Sequence, residues 1–226
     1  MRRLAAAIAI VVFIGAGCPS QPSTELVVGA GDTLTLRETV LGVGGKIAEL
    51  FGAGTVMQTV VLGDRNAMAD AAFAWKKDSD GSMAVDPSAS TFVLSSSQYD
   101  GLANDGGTTL SLGLIDMTMA SALGWTDSVK SFLASINQPI PDFPTPSDVL
   151  MITVSEANAS TWVRVDGMLQ KVDAIKASNW FADYLILKNA DSPLILSVTL
   201  KPTADASLGS NAFRGFEVSE IKTTSP

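Results

Sequence analysis

The side chains able to do chemistry are few in kind. The chain has no histidine and a single cysteine, Cys18. Without imidazole, no Ser-His-Asp or Cys-His arrangement can form, and neither a histidine base nor a histidine metal ligand exists. One thiol cannot make an internal disulfide or a zinc–thiolate cluster. Carboxylate, serine–lysine and thioether chemistry remain.

Asp78, Asp80 and Ser82, in the run DSDGS, place oxygens at alternate positions around Gly81, as a calcium loop begins. Such a loop closes with a bidentate acid about twelve residues from its start, and position 89 is Ala89. The run therefore reads as a plain turn. Met117 and Met119 alternate in LIDMTM and could offer thioethers to Cu(I). With no third soft ligand nearby, they read as core. Lys130 is too close in sequence to Ser128 and Ser131 to share a helix face with either. Trp75, Trp125, Trp162 and Trp180 could stack on sugars, although most tryptophans serve the core. Trp125 and Trp180, in loop-like contexts, are the candidate binding platform. No catalytic residue, metal or cofactor is expected.

Cys18 ends the run MRRLAAAIAIVVFIGAGC. Arg2 and Arg3 form a positive start, and residues 4–17 are an apolar stretch of leader length. A membrane-spanning helix needs about 20 such residues. Polar residues follow at once, without a charged stop-transfer cluster, so a cleaved leader is expected rather than an anchor helix. Ala16, Gly17 and Cys18 resemble the lipobox of bacterial lipoproteins, with Gly15 where that family prefers Leu. The resemblance implies cleavage between Gly17 and Cys18, diacylglycerol on the Cys18 sulfur and acylation of its new amino group. Two or three chains make such an anchor stable. It also implies a place in the cell envelope, and Pro19 after the cysteine favours the outer over the inner membrane. With Cys18 carrying lipid, no thiolate nucleophile would remain. The resemblance covers 18 residues and is silent on the fold beyond them.

The chain has 15 basic and 23 acidic residues, a formal charge of −8. Loss of Arg2 and Arg3 with the leader makes it more acidic. That balance argues against nucleic acid and against adhesion to an anionic leaflet through a basic patch.

The elements that must position any site read as mainly β. Residues 25–40 alternate around Gly29, Gly31 and Asp32 and predict a hairpin. Val43, Ile47, Leu50 and Phe51 predict a short helix, and 55–62 (TVMQTVVL) a strand. Residues 64–77 fit either a helix or a hairpin into 82–85. Strands at 91–96 and 108–119 flank a Gly- and Asn-rich loop at 99–107, and a second helix runs from Thr126 or Asp127 to Asn137. Residues 138–147 (QPIPDFPTPS) are an extended connector. Beyond it, 149–155 and 161–165 predict a hairpin around EANAS, with Asp166-Gly167 turning the chain again. A further hairpin, 181–188 with 194–201, and a last strand at 215–223 follow. The fold class is α+β, mainly β: antiparallel sheets, as a sandwich or incomplete barrel, with about two short helices. The expected organisation is a leader (1–17), a lipidated tether (18–24), an N-terminal β-rich part (25–137), the connector (138–147) and a C-terminal β-meander (148–226). The two β parts form either two units or one domain.

These features lead to a non-catalytic envelope lipoprotein that acts in an assembly or recognises a protein partner. The alternatives are a periplasmic carrier of lipid or another apolar ligand and, further off, a carboxylate enzyme acting on glycans. A carrier requires an enclosed apolar cavity of several hundred cubic ångströms. An assembly protein requires an exposed apolar patch or an unpaired sheet edge. A glycosidase requires two carboxylates roughly 5–10 Å apart in a groove.

Overall fold

Asp166 and Gly167 both adopt positive φ, +48° and +80°. Two such residues make the tight turn whose twist matches that of the flanking strands, and Val165 pairs with Met168 directly across it. This turn sits at one end of the C-terminal half of a computed structural model that describes residues 25–40, 55–64, 68, 70–71, 73–77, 83–86, 88–110, 131, 134–136, 150–180, 182–201 and 213–224.

In chain order the strands are β1 (Thr33–Val40), β2 (Thr55–Val61), β3 (Trp75–Lys77), β4 (Met83–Val85), β5 (Gly107–Thr109), β6 (Met151–Val165), β7 (Met168–Ser178), β8 (Ala182–Leu187), β9 (Ile195–Leu200) and β10 (Phe213–Lys222). A short helix, α1 (Ser96–Asp100), runs on into a π turn over Gly101–Asp105, and residues 131 and 134–135 are also helical. Eight strands form one sheet, in the order β2-β1-β10-β9-β8-β7-β6-β5, while β3 and β4 pair separately. The sheet thus joins strands from both sides of the proline-rich connector.

β10 closes the sheet on itself. β1 lies antiparallel along its full length, so its other partners share the opposite edge. There β9 pairs with Gly215–Glu217, and further along β6 pairs in parallel at Glu220↔Arg164 and Ile221↔Val165. Strands β6 to β10 therefore complete a ring, with β1 and β2 extending from it. The core is built from fully buried side chains, among them Leu34, Leu36, Ile152, Ile186 and Ile195. Phe73, Phe92 and Phe216 meet edge to face, with centroids 5.5 to 5.6 Å apart. This is the favoured aromatic geometry, and it ties β10 to two segments outside the main sheet.

Several expectations need correction. Residues 25–28 are not the first strand of a hairpin with β1. Leu26 and Val28 are buried, but their backbone is held by the β8–β9 loop. The alternation expected of a strand here serves docking. Residues 91–95 form isolated bridges rather than a strand, at Thr91 and at Val93↔Leu194, and 96–105 is α1 and its π turn. Ser95 starts that helix with a capping box, its Oγ accepting from the Gln98 N–H while its own N–H donates to Gln98 Oε1. EANAS is no turn: β6 runs through it, with its register against β7 shifting between Val154 and Glu156 and again before Ala159. The extra residues are absorbed as bulges. Strand β7, not anticipated as a strand, follows the Asp166-Gly167 turn. The ambiguous 64–77 segment ends in the β3–β4 hairpin. The helix expected around Val43–Phe51, the connector, the DSDGS run, Met117 and Met119 lie outside the described residues.

Candidate functional site

The end of the barrel that carries the Asp166 turn is assembled by short polar side chains. After β10, Thr223 donates from its N–H to Asp166 Oδ1 at 3.0 Å and from its hydroxyl to Oδ2 at 2.7 Å. The next residue, Thr224, donates from its N–H and hydroxyl to Asp32 Oδ1 at 2.7 and 3.1 Å. Asp32 Oδ2 accepts from the Gly29 N–H at 2.8 Å, closing the turn that leads into β1. Bonds from the Thr223 hydroxyl and N–H, with the Lys222 ammonium nearby, hold the Asp166 carboxyl below its ordinary value.

The arm formed by residues 25–28 reaches this turn along the β8–β9 loop. Ser192 Oγ accepts from the Val28 N–H at 3.0 Å and donates to the Val28 carbonyl at 2.7 Å. Asn189 Nδ2 donates to the Leu26 carbonyl at 3.0 Å. An open cavity of about 340 Å³ lies between the arm, the end of β2 and the 88–93 segment, bordered by Val28, Val60, Leu62, Ser90 and Phe92. None of its lining residues belongs to the ring of β6 to β10.

Two surfaces stand out on this frame. The first is β2, the terminal strand of the sheet, paired with β1 alone among the described residues. Leu62 exchanges backbone hydrogen bonds with Asp32 and Gly31, so by strand alternation the N–H groups of Val61, Thr59 and Met57 point away from β1. The side chains of Met57 and Val61 are 56% and 66% exposed. Glu38, fully buried on β1, fixes this pairing from inside by accepting from Gln58 Nε2 at 3.0 Å.

The second surface is the β6–β7 tip. Trp162 stands opposite Lys171, and Arg164 opposite Leu169. These four share the outer face, because the intervening Val163 and Val165 are buried. Trp162, Met168 and Leu169 are 49%, 64% and 58% exposed.

The sequence candidates fall elsewhere. Cys18 and Gly17 lie outside the described residues, as does Trp125. Trp180 is half buried and packs against the core. Tyr184 is buried, with its hydroxyl accepting from Asn179 Nδ2 at 3.3 Å. Burial pushes that phenol above its ordinary range. Among the described residues the exposed tryptophan is Trp162, and its signal lay in TWVRV, where Trp162 shares the parity of polar Arg164. Among the described residues, no group of three or more acids is placed to hold a metal, and no helix is long and apolar enough to cross a membrane. Compared with models of known families, with curated proteins and with solved structures, the chain matches none of them.

Proposed function

We propose that the chain is a non-catalytic cell-envelope lipoprotein, tethered by lipid on Cys18, that recognises a protein partner through the open edge of β2. Pro19 after the cysteine favours the outer membrane. The observation carrying partner recognition is the chemistry of that edge. Sheet edges are ordinarily blunted by charge, proline, bulges or brevity. At the far edge of the sheet β5 is three residues long. β2 is seven residues, TVMQTVV, with neither charge nor proline. An extended partner segment can add to such an edge by main-chain hydrogen bonds, while Met57 and Val61 give side-chain contacts. A lipid carrier has less support, since the cavity beside the arm is open and its lining lies outside the ring of β6 to β10.

Thr59→Pro tests the edge. It removes an outward N–H and leaves the β1 ladder, whose donors on β2 are the alternate residues. Isolation of the unaltered chain from detergent-extracted membranes is expected to bring down a partner that Thr59→Pro does not. Equal recovery by both would sink the edge reading. The anchor is tested separately: Cys18→Ser is expected to lose acyl labelling, and unchanged labelling would refute lipidation there.

A further inference from the structure

We infer that the β6–β7 tip is a second membrane contact, seating Trp162 and Leu169 of its outer face, with Met168 beside the turn, in the headgroup region of a lipid surface. This rests on the anchored reading above. The hydrogen bonds at the barrel end argue which way the molecule faces. Asp166 in the tip and Asp32 in the turn beyond the arm bind the consecutive residues Thr223 and Thr224, whose Cα atoms are about 3.8 Å apart. The tip and the entry of the N-terminal arm into the barrel are therefore neighbours. From Cys18 to Glu25 the extended chain spans at most about 25 Å. Strand β6, with 15 residues, is about 50 Å long. A lipid on Cys18 thus holds the Asp32–Asp166 end near the bilayer and keeps the Met151 end of β6 away.

The chemistry of the tip suits that position. Tryptophan with aliphatic neighbours is the composition of membrane interfaces, where one side of the ring is dry and the other wet. Arg164 and Lys171 alternate with Trp162 and Leu169 on the outer face. Lys222, close enough to Asp166 to lower its titration, adds a third cation. The carboxylates here are Asp166, engaged by Thr223, Glu220, beside Arg164 in the β6–β10 ladder, Asp173, exposed two residues beyond Lys171 on the outer face, and Asp32, bound by Thr224. The tip's three basic residues are thus matched by carboxylates, and the apolar side chains, not the charge, suit the tip to a lipid surface.

The test uses the full chain with Cys18→Ser and a single new thiol, at Met168→Cys or at Met57→Cys, carrying an environment-sensitive fluorophore. Vesicles are of phosphatidylcholine with nitroxide-labelled lipid. The expected result is a blue shift and quenching at position 168 and neither at 57. Trp162→Ala and Leu169→Ala are each expected to weaken the signal at 168 about fivefold in vesicle titrations. Quenching at 168 no greater than at 57, or absent at both, would overturn the tip contact. Because Cys18 is replaced, this outcome is independent of whether the unaltered chain is acylated, which is read from its own acyl label.

Discussion

Asp32 and Asp166 grip successive residues of the segment after β10, Asp166 binding Thr223 and Asp32 binding Thr224. One carboxylate belongs to the turn before the first strand and the other to the β6–β7 turn. The end of the chain is the wedge that brings them together. Four hydrogen bonds from backbone and hydroxyl donors to two carboxylates, one exposed and one buried, make this a strong clasp.

The Asp166 side of that clasp gives a pH dependence of known sign. A carboxyl whose folded value lies below its unfolded value binds fewer protons in the native state, so its stabilisation is complete above the ordinary value of 3.8 and is lost as pH falls through the depressed one. Thermal unfolding followed from neutral to acid pH is expected to show a steeper fall below that point for the unaltered chain than for Asp166→Asn. Parallel curves would show that the Thr223 contacts are not retained in solution.

The three-ring contact of Phe73, Phe92 and Phe216 is the seam between the barrel and the segments packed beside it. Phe216→Ala removes one ring from both of its contacts and leaves a cavity, with an expected loss of about 3–5 kcal/mol. Denaturant unfolding measures it. A loss below about 1 kcal/mol would mean that the site collapses around the missing ring.

Gly215 lets β9 and β10 approach at the ring closure. Its φ is +144°, and a Cβ there would stand 2.1 Å from the Val198 carbonyl oxygen. Gly215→Ala is expected to cost more than the roughly 1–3 kcal/mol of backbone strain alone, with loss of hydrogen-exchange protection concentrated at the β9–β10 pairing. Unchanged protection would contradict this packing.

The sequence carried much of the C-terminal meander because its signals are local. Asp166-Gly167 demands positive φ, and the β8–β9 hairpin shows alternation on both sides of a polar turn. What escaped depends on distant partners. Leu26 and Val28 alternate like a strand, but Ser192 and Asn189 decide that they dock as an arm. β6 passes through EANAS because bulges absorb residues that look like a turn. The capping box of Ser95 and Gln98 was visible as S-x-x-Q but lay under β-branched neighbours. The candidate surfaces were only half legible. The TVMQTVV strand could be read directly, whereas its terminal place in the sheet follows from β1 choosing β10 as its other partner. Trp162 could be placed on the outer face by parity, while its meeting with Leu169, Arg164 and Lys171 required the register across the hairpin.

Partner recognition through β2 is tested most directly by photo-crosslinking in intact cells from positions 57 and 61. The expected result is a discrete adduct with one other polypeptide from either position, abolished by Thr59→Pro while the chain remains folded and membrane-bound. A folded, membrane-bound chain that gives no adduct from either position, or the same adduct with proline at 59, would contradict recognition through this edge.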